Sequence, residues 1–394
     1  MKKLMIIGAS ILQLPAIKRA KELGFNVAVA DYDASAIGIP YADKFYEVST
    51  IDIEGVTKAA EDFGAEGIMT LASDMPMRSV AHASEKLGLT AISFDTAVKA
   101  TDKGEMIKAF KEEGVPSPWF FIVPDKNTLD EIKTEIEYPC IMKPLDNAGS
   151  RGVVLVKDKK ELDESFEYSI SSSRGAGVII EEYMQGSEVS VEVMAWQGEI
   201  HILAITDKLT TGAPHFVEMG HSQQSGLSDE IKNQIKDVAT KAVKAVGIEN
   251  GPAHVEIMVT ESGPKMIELG ARMGGDCITT HLVPLSTGID MIECTINCAL
   301  GQKPDTAPKF HKGSAIRFFD VPQGTIKSIS GIEDAQKIGG VQEITFTKNV
   351  GDMAGSINSS TDRVGFVIAQ ADTAENAVKI CEQAIKMIKI VVEK

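Results

Sequence analysis

Short apolar runs and amphipathic stretches alternate along the first 95 residues of this chain. The runs at 3–7, 27–30, 44–48, 67–71 and 90–92 predict strands, and the stretches at 11–23 and 54–63 predict helices. Such alternation implies a parallel, doubly wound sheet. Residues 96–115 read as charged helix, and Gly114 followed by Pro116 and Pro118 marks a boundary. Beyond it the pattern predicts a strand at 119–123, a helix at 128–136, a strand over 139–144 and a small-residue loop at 147–153. A buried strand at 178–180 follows, then a strand-rich stretch at 189–205, a loop at 206–227 and a helix at 228–246. Helical pattern continues through 288–300. From about 311 the chain returns to strands (314–319, 341–346, 363–369) and a closing helix from Thr373. The divisions are 1–95, 96–115, 116–183, 184–310 and 311–394.

One stretch carries candidate chemistry. Between Pro252 and Asp276, two apolar-rich runs flank a Ser-Gly-Pro turn and read as a β-hairpin. Side chains alternate across a strand, so Val255, Ile257, Val259, Ile267 and Leu269 form one face, ordinary core. His254, Glu256, Met258, Met266, Glu268, Gly270 and Arg272 form the other. A turn symmetric about Ser262 sets Glu256 directly across from Glu268, where like charges are destabilising unless a proton, a cation or water intervenes. Two hard carboxylates on a rigid platform suit Mg²⁺. A solvated hairpin face is the competing reading, and a one-residue bulge would divide the pair between faces.

Composition narrows the classes. The 394 residues allow two to four compact units, with 43% hydrophobic and 24% charged residues. A net charge of −16 argues against a general nucleic-acid or anionic-membrane binder, so a polyanion must be met by a local cluster of Lys, Arg or metal. Cys140, Cys277, Cys294, Cys298 and Cys381 show no CxxC spacing and read as reduced thiols of a cytoplasmic protein. The opening Met1-Lys2-Lys3 and its apolar run imitate a signal peptide, but Lys18, Arg19, Lys21 and Glu22 interrupt it, and the run reads as a buried strand. No apolar run approaches the roughly 20 residues of a membrane span. Asp31 at a strand end suggests a dinucleotide site, yet Gly8 lacks the further glycines of the fingerprint.

Several elements, in order, resemble the ATP-grasp superfamily of carboxylate–amine ligases: Lys103, Lys143-Pro144, Gly149 to Val153, Glu181-Glu182-Tyr183-Met184 with Glu188, and Glu256, Glu268 and Arg272. The nearest look is of the amino-acid ligase, carbamoyl-phosphate-synthase-like and phosphoribosylglycinamide-synthetase-like group, which Gly288-Ile289-Asp290 and Asp362-Arg363-Val364-Gly365-Phe366 also resemble. The resemblance implies an α/β and α+β chain. Its parts are a Rossmann-like parallel-sheet pre-ATP-grasp domain, connecting helices, the lid and core lobes of an ATP-grasp module, and a small α+β C-terminal lobe.

It also implies roles. Lys103 and Lys143 reach the α- and β-phosphates of ATP. Gly149, Ser150, Gly152 and Val153 close over the β- and γ-phosphates. Adenine lies against Ile180 and Met184, reading the backbone of Glu182 and Met184; Glu181 and Tyr183 belong to the same ATP-binding hinge, and Glu188 accepts from the ribose. Glu256 and Glu268 hold Mg²⁺, with Mn²⁺ a substitute, and Arg272 stabilises an acyl phosphate. Many members carry Asn as a third metal ligand where this chain has Gly270. Glu218, His221 and His281 lie where the family binds substrates. The implied reaction joins a small-molecule acid, an amino acid by preference, to an amine with release of ADP and phosphate; a homodimer is the implied assembly. A purine-biosynthetic ligase and a non-catalytic nucleotide sensor are the alternatives.

Overall fold

The computed structural model describes residues 1–147, 152–212 and 216–393. The first domain is built on a four-stranded parallel sheet in the order Lys44–Glu47, Asn26–Asp31, Lys3–Ile7, Gly67–Met69. Residues 90–92 form no strand, contrary to expectation. Gly88 ends one helix in the left-handed region and Ser93 already caps the next, so Ile92 is buried as a short connector. Asp31 is also spent within the fold: its carboxylate accepts from the Ala9 and Asp33 amides at 2.7 and 3.0 Å and so holds the turn after the first strand.

The charged stretch that follows is two helices, Phe94–Thr101 and Lys103–Glu112. Asp102 breaks them apart because its side chain caps the Gly104 and Glu105 amides, which leaves Lys103 on the first turn of the second helix. Next comes an antiparallel four-stranded sheet in the order Phe120–Val123, Val178–Glu182, Cys140–Pro144, Val154–Val156. Its own core includes Val123, Leu129, Met142, Phe166 and Ile180.

An eight-stranded sheet forms the rest of the frame. Its order is Gly263–Gly270, Gly251–Thr260, Ser187–Trp196, Glu199–Thr210, Glu218–Gln223, Gly313–Phe318, Gly365–Ala371, Val341–Phe346. Helix Asp229–Val246 packs Ile235, Val238, Ala242 and Val246 into the core that holds Val191, Val193, Val255, Ile257 and Met266. Two expectations change here. The stretch 206–227 is not all loop, since Glu199–Thr210 runs well into it and Glu218–Gln223 is an interior strand of the sheet. The strands beyond 311 extend this sheet, with a small three-stranded sheet (Met353–Ala354, Gly324–Ser330, Lys389–Glu393) beside them. No helix among the described residues is long and apolar enough to cross a membrane.

Candidate active site

The hairpin pairs Glu256 with Glu268, but by an unexpected route. A two-residue turn, Glu261-Ser262, sets Thr260 opposite Gly263 and Ile257 opposite Met266, one residue out of the symmetric register. A bulge between Glu256 and Ile257 on one side, absorbing Ile267 on the other, restores the match, so Glu256 and Glu268 face each other directly. The bulge also exchanges two side chains. Met266 is fully buried in the core, and Ile267, expected there, is only half-buried.

Register carries this face across the sheet. Beside the pair, Ser190 is opposite Glu256; one row over, Met258, Glu188, Lys208 and His221 run in line; one row back, His254 is opposite Glu192. Opposed residues share a face. The result is a polar surface with acidic groups crowded about one ammonium. Lys208, 3% exposed at its side chain, binds Glu188 closely, reaches Glu256 Oε1 at 3.1 Å and stands 3.8 Å from Glu218. Burial opposes its charge, but Glu256, Glu188 and Glu218 together raise its pKa. Burial likewise pushes the Glu188 and Glu218 carboxyls up, with Lys208 pulling each back. At Glu256 the burial penalty loses to Lys208 and His254, and the carboxyl sits well below the usual carboxylate range. His254, between Glu192 Oε1 (2.7 Å) and Glu256 Oε1 (3.3 Å), is penalised by burial yet pushed up to about 9 by Glu192.

Cations from two other parts of the chain close over the pair. Lys103 donates to the Asn147 carbonyl at 2.7 Å and stands 3.4 Å from Glu268 Oε2. Lys143 lies 2.7 Å from Glu181 Oε2, both side chains 8% exposed, and although burial disfavours its charge, Glu181 and then Glu268 raise its pKa. Glu182 instead pairs with Lys265 at 2.9 Å, so the two adjacent glutamates face different lysines. Tyr183 and Met184 are half-buried, and Ile180 is sealed inside the core of its own sheet. Of the small-residue loop, Gly149 and Ser150 lie outside the described residues. Gly152, at φ +78°, is required: a Cβ there would stand 2.7 Å from Pro144 Cγ and from Ser172 Cβ. Val153 is half-buried beside it.

Arg272 is clamped by a residue of the first domain. Its Nε and Nη2 donate to Asp74 Oδ1 and Oδ2 at 3.0 and 3.1 Å, and its Nη1 to the Met273 carbonyl at 3.2 Å. This explains Gly270. A Cβ at that position would stand 2.6 Å from Asp74 Oδ1, so Asp74 occupies the room a longer side chain would need. The donor set that remains, two opposed carboxylates, fits a hard divalent ion completed by phosphate oxygens and water. Among the described residues there is no group of three His, Cys, Asp or Glu side chains arranged to hold a metal unaided.

The substrate candidates separate. Glu218 and His221 share the strand beside Lys208 and belong to the face. His281 sits in the turn Ile278–Leu282, 3.2 Å from Glu343 Oε2, and makes no hydrogen bond to the carboxylate cluster among the described residues.

Comparison with known proteins meets this geometry. Residues 136–280 match an ATP-grasp domain, and residues 317–393 match an L-amino acid ligase C-terminal domain. The chain contains an ATP-grasp domain. It is 32% identical over 273 residues to the alanine–anticapsin ligase of Bacillus subtilis, a match that spans 62% of this chain and 56% of that one. In fold it is similar to an L-amino acid ligase from Bacillus licheniformis, at a TM-score of 0.85 and 24% identity over 100% of this chain and 99% of that one. A phosphoribosylglycinamide synthetase from Anaerococcus prevotii gives 0.81 and 24% over 100% of both chains.

An ATP-grasp ligase needs cations where the triphosphate lies, and in this acidic chain Lys103, Lys143, Lys208 and Arg272 are gathered about Glu256 and Glu268. Lys208 and Asp74 have no place in the sequence-based site, and His254 stands there only as a member of the hairpin's polar face. Asp74 gives no local signal. Lys208 does: Gln197-Gly198 is a two-residue turn signal, and counting back from it along both strands brings Lys208 to within one residue of Glu188.

Proposed function

We propose that this ligase joins a non-phosphorylated acid, an amino acid by preference, to an amine in two steps on the Glu256/Glu268 face. The acid's carboxylate attacks the γ-phosphorus of ATP, giving an acyl phosphate and ADP; the amine then attacks the carbonyl carbon and phosphate leaves. The observation that carries the reading is the direct opposition of Glu256 and Glu268 with Arg272 two residues beyond the strand end, ringed by lysines from both lobes.

Glu256 and Glu268 would hold Mg²⁺, which when bound neutralises charge on the phosphates. The other groups position and screen. Lys143 and Lys103 meet phosphate oxygens, and Glu188 accepts from the ribose. Arg272, held in orientation by Asp74, presents its remaining N–H edge to charge that develops on the acyl group. His221 takes the proton of the incoming amine. No protein nucleophile is required, because catalysis here is placement, electrostatics and exclusion of water. The amino-acid preference is supported by the C-terminal match and by the first domain, where Arg78 is already engaged by Thr101 at 2.8 Å. Five free thiols, four of them buried, accord with the cytoplasm.

The test is ADP release across a matrix of amino acids and amines with saturating ATP. Release that requires both an acid and an amine is expected. ATP binding without release for any pair would favour the nucleotide sensor.

A further inference from the structure

Asp276 stands where three parts of the molecule meet. It follows the carboxylate hairpin and adopts φ +49°, beside Cys277 at +61°, so the backbone turns through two consecutive left-handed residues. Its two carboxylate oxygens accept from Arg363 Nη2 and Nη1 at 2.6 and 2.7 Å. Arg363 comes from the C-terminal lobe and is itself fixed on every side. Its guanidinium lies 3.7 Å from the Phe318 ring centroid, its Nε donates to the Ser360 carbonyl at 2.8 Å, and its Nη1 donates to the Glu218 carbonyl at 3.0 Å. The remaining contact of Asp276 is His221, whose Nε2 is 3.3 Å from Oδ2. His221 is 1% exposed, and its Nδ1 is buried with no hydrogen-bond partner among the described residues. Strand register puts the His221 side chain on the same face as Lys208, directly opposite it.

We propose that Arg363 and Asp276 are positioning residues that fix the His221 tautomer: the clamped carboxylate takes the Nε2–H, and Nδ1 is left as a lone-pair acceptor for the amine. The inference rests on the ligase reading above and names what orients its base. An unpartnered buried nitrogen is costly unless a ligand group completes it, and an ammonium or amine N–H is the group that this acceptor suits.

The charges around the ring agree with that assignment. Asp276 is disfavoured by burial, but Arg363 and His221 hold it well below the usual carboxylate range, so it is an acceptor only. Burial lowers the His221 pKa, partly offset by Asp276, with Lys208 and Arg363 lowering it further. Arg317 donates to the His221 carbonyl rather than to the ring. The imidazole is therefore neutral at pH 7, with one proton and one free lone pair. In the reaction Nδ1 takes a proton from the ammonium substrate, the freed amine attacks the acyl carbon, and the C–N bond forms as the carbon–oxygen bond to phosphate breaks. The adduct nitrogen gives its second proton to the departing phosphate, and the imidazolium, stabilised by Asp276, releases its own to solvent.

The experiment is ¹⁵N NMR of the ring nitrogens in the full chain, with His221 identified among seven histidines by loss of its signals in His221→Gln. Wild type should show the Nε2–H tautomer. In Asp276→Asn, Asn tolerates the left-handed backbone, and its amide can donate to Nε2, so the proton should move wholly or partly to Nδ1. Arg363→Met should shift the population in the same direction. Amide formation should fall by roughly 10²–10⁴-fold in Asp276→Asn with the KM for ATP unchanged. A wild-type ring protonated on Nδ1, or a tautomer unmoved in both variants, would overturn the inference. If no acid–amine pair supports ADP release, the ligase reading fails instead, and the tautomer result still stands or falls separately.

Discussion

Lys208 is the ammonium that Glu188, Glu218 and Glu256 share, and replacing it with Met isolates what the arrangement contributes. Met preserves most of the side-chain volume, so the loss is charge rather than packing. At an effective dielectric of about 20, the 3.1 Å contact with Glu256 amounts to about 5 kcal/mol of gross attraction and the 3.8 Å contact with Glu218 to about 4 kcal/mol. Desolvation cancels most of this in the intact cluster. Removing Lys208 leaves three part-buried carboxylates of which only Glu256 keeps a counter-ion, His254, and the expected loss is about 3–5 kcal/mol. The loss depends on pH. In wild type the Glu256 carboxyl is depressed, so its stabilising contribution is full above its unfolded value and disappears only as pH falls through the folded one. Without Lys208, burial raises the carboxyls of Glu188 and Glu218 further, while Glu256 keeps His254 beside it. A raised carboxyl stabilises below the unfolded value and costs stability as pH rises through the folded one. Urea unfolding of both proteins should give a difference of about 3–5 kcal/mol at pH 8 that narrows steadily towards pH 5. The double variant Lys208→Met/Glu188→Gln should recover part of it. A variant as stable as wild type at pH 8, or a loss equal at both pH values, would refute the reasoning.

Two further variants probe the nucleotide. Lys143→Ala should weaken ATP binding by about 1.5–3 kcal/mol, roughly 10- to 150-fold in Kd by calorimetry, while far-UV circular dichroism stays native; unchanged affinity would remove Lys143 from the phosphates. Glu268→Gln keeps shape and removes a charge, so it should retain the fold and lose turnover by roughly 10²–10³-fold. Near-normal turnover in that variant would remove the proposed metal role of the pair.

The sequence made the parallel sheet and the hairpin readable because each has a local signature, alternation in one and a turn in the other, whereas Lys103 and Lys143 stood out only through the family resemblance. Glu256 and Glu268 were paired correctly by counting from Ser262, although the turn lies half a residue away from that centre and the bulge at Ile267 makes up the difference. The strand Glu218–Gln223 was read as loop because Glu-Met-Gly-His-Ser-Gln has no apolar period. Its buried Gln223 is satisfied by neighbours that only the fold brings up: it donates to Thr206 Oγ1 at 2.7 Å and accepts from Ser286 Oγ at 2.9 Å. Asp74 and Arg363 sit 198 and 87 residues from the partners they orient, and no short-range pattern encodes such contacts. The glycine at 270 looked like a missing ligand in sequence. In the fold it is the space that lets Asp74 reach Arg272.

The two-step reaction on the paired glutamates is tested most directly by isotope transfer. With the acid labelled by ¹⁸O in its carboxylate, each turnover should deliver one ¹⁸O to the released phosphate, because the attacking oxygen leaves bonded to phosphorus. Unlabelled phosphate, with the oxygen drawn from water, would contradict the acyl-phosphate route.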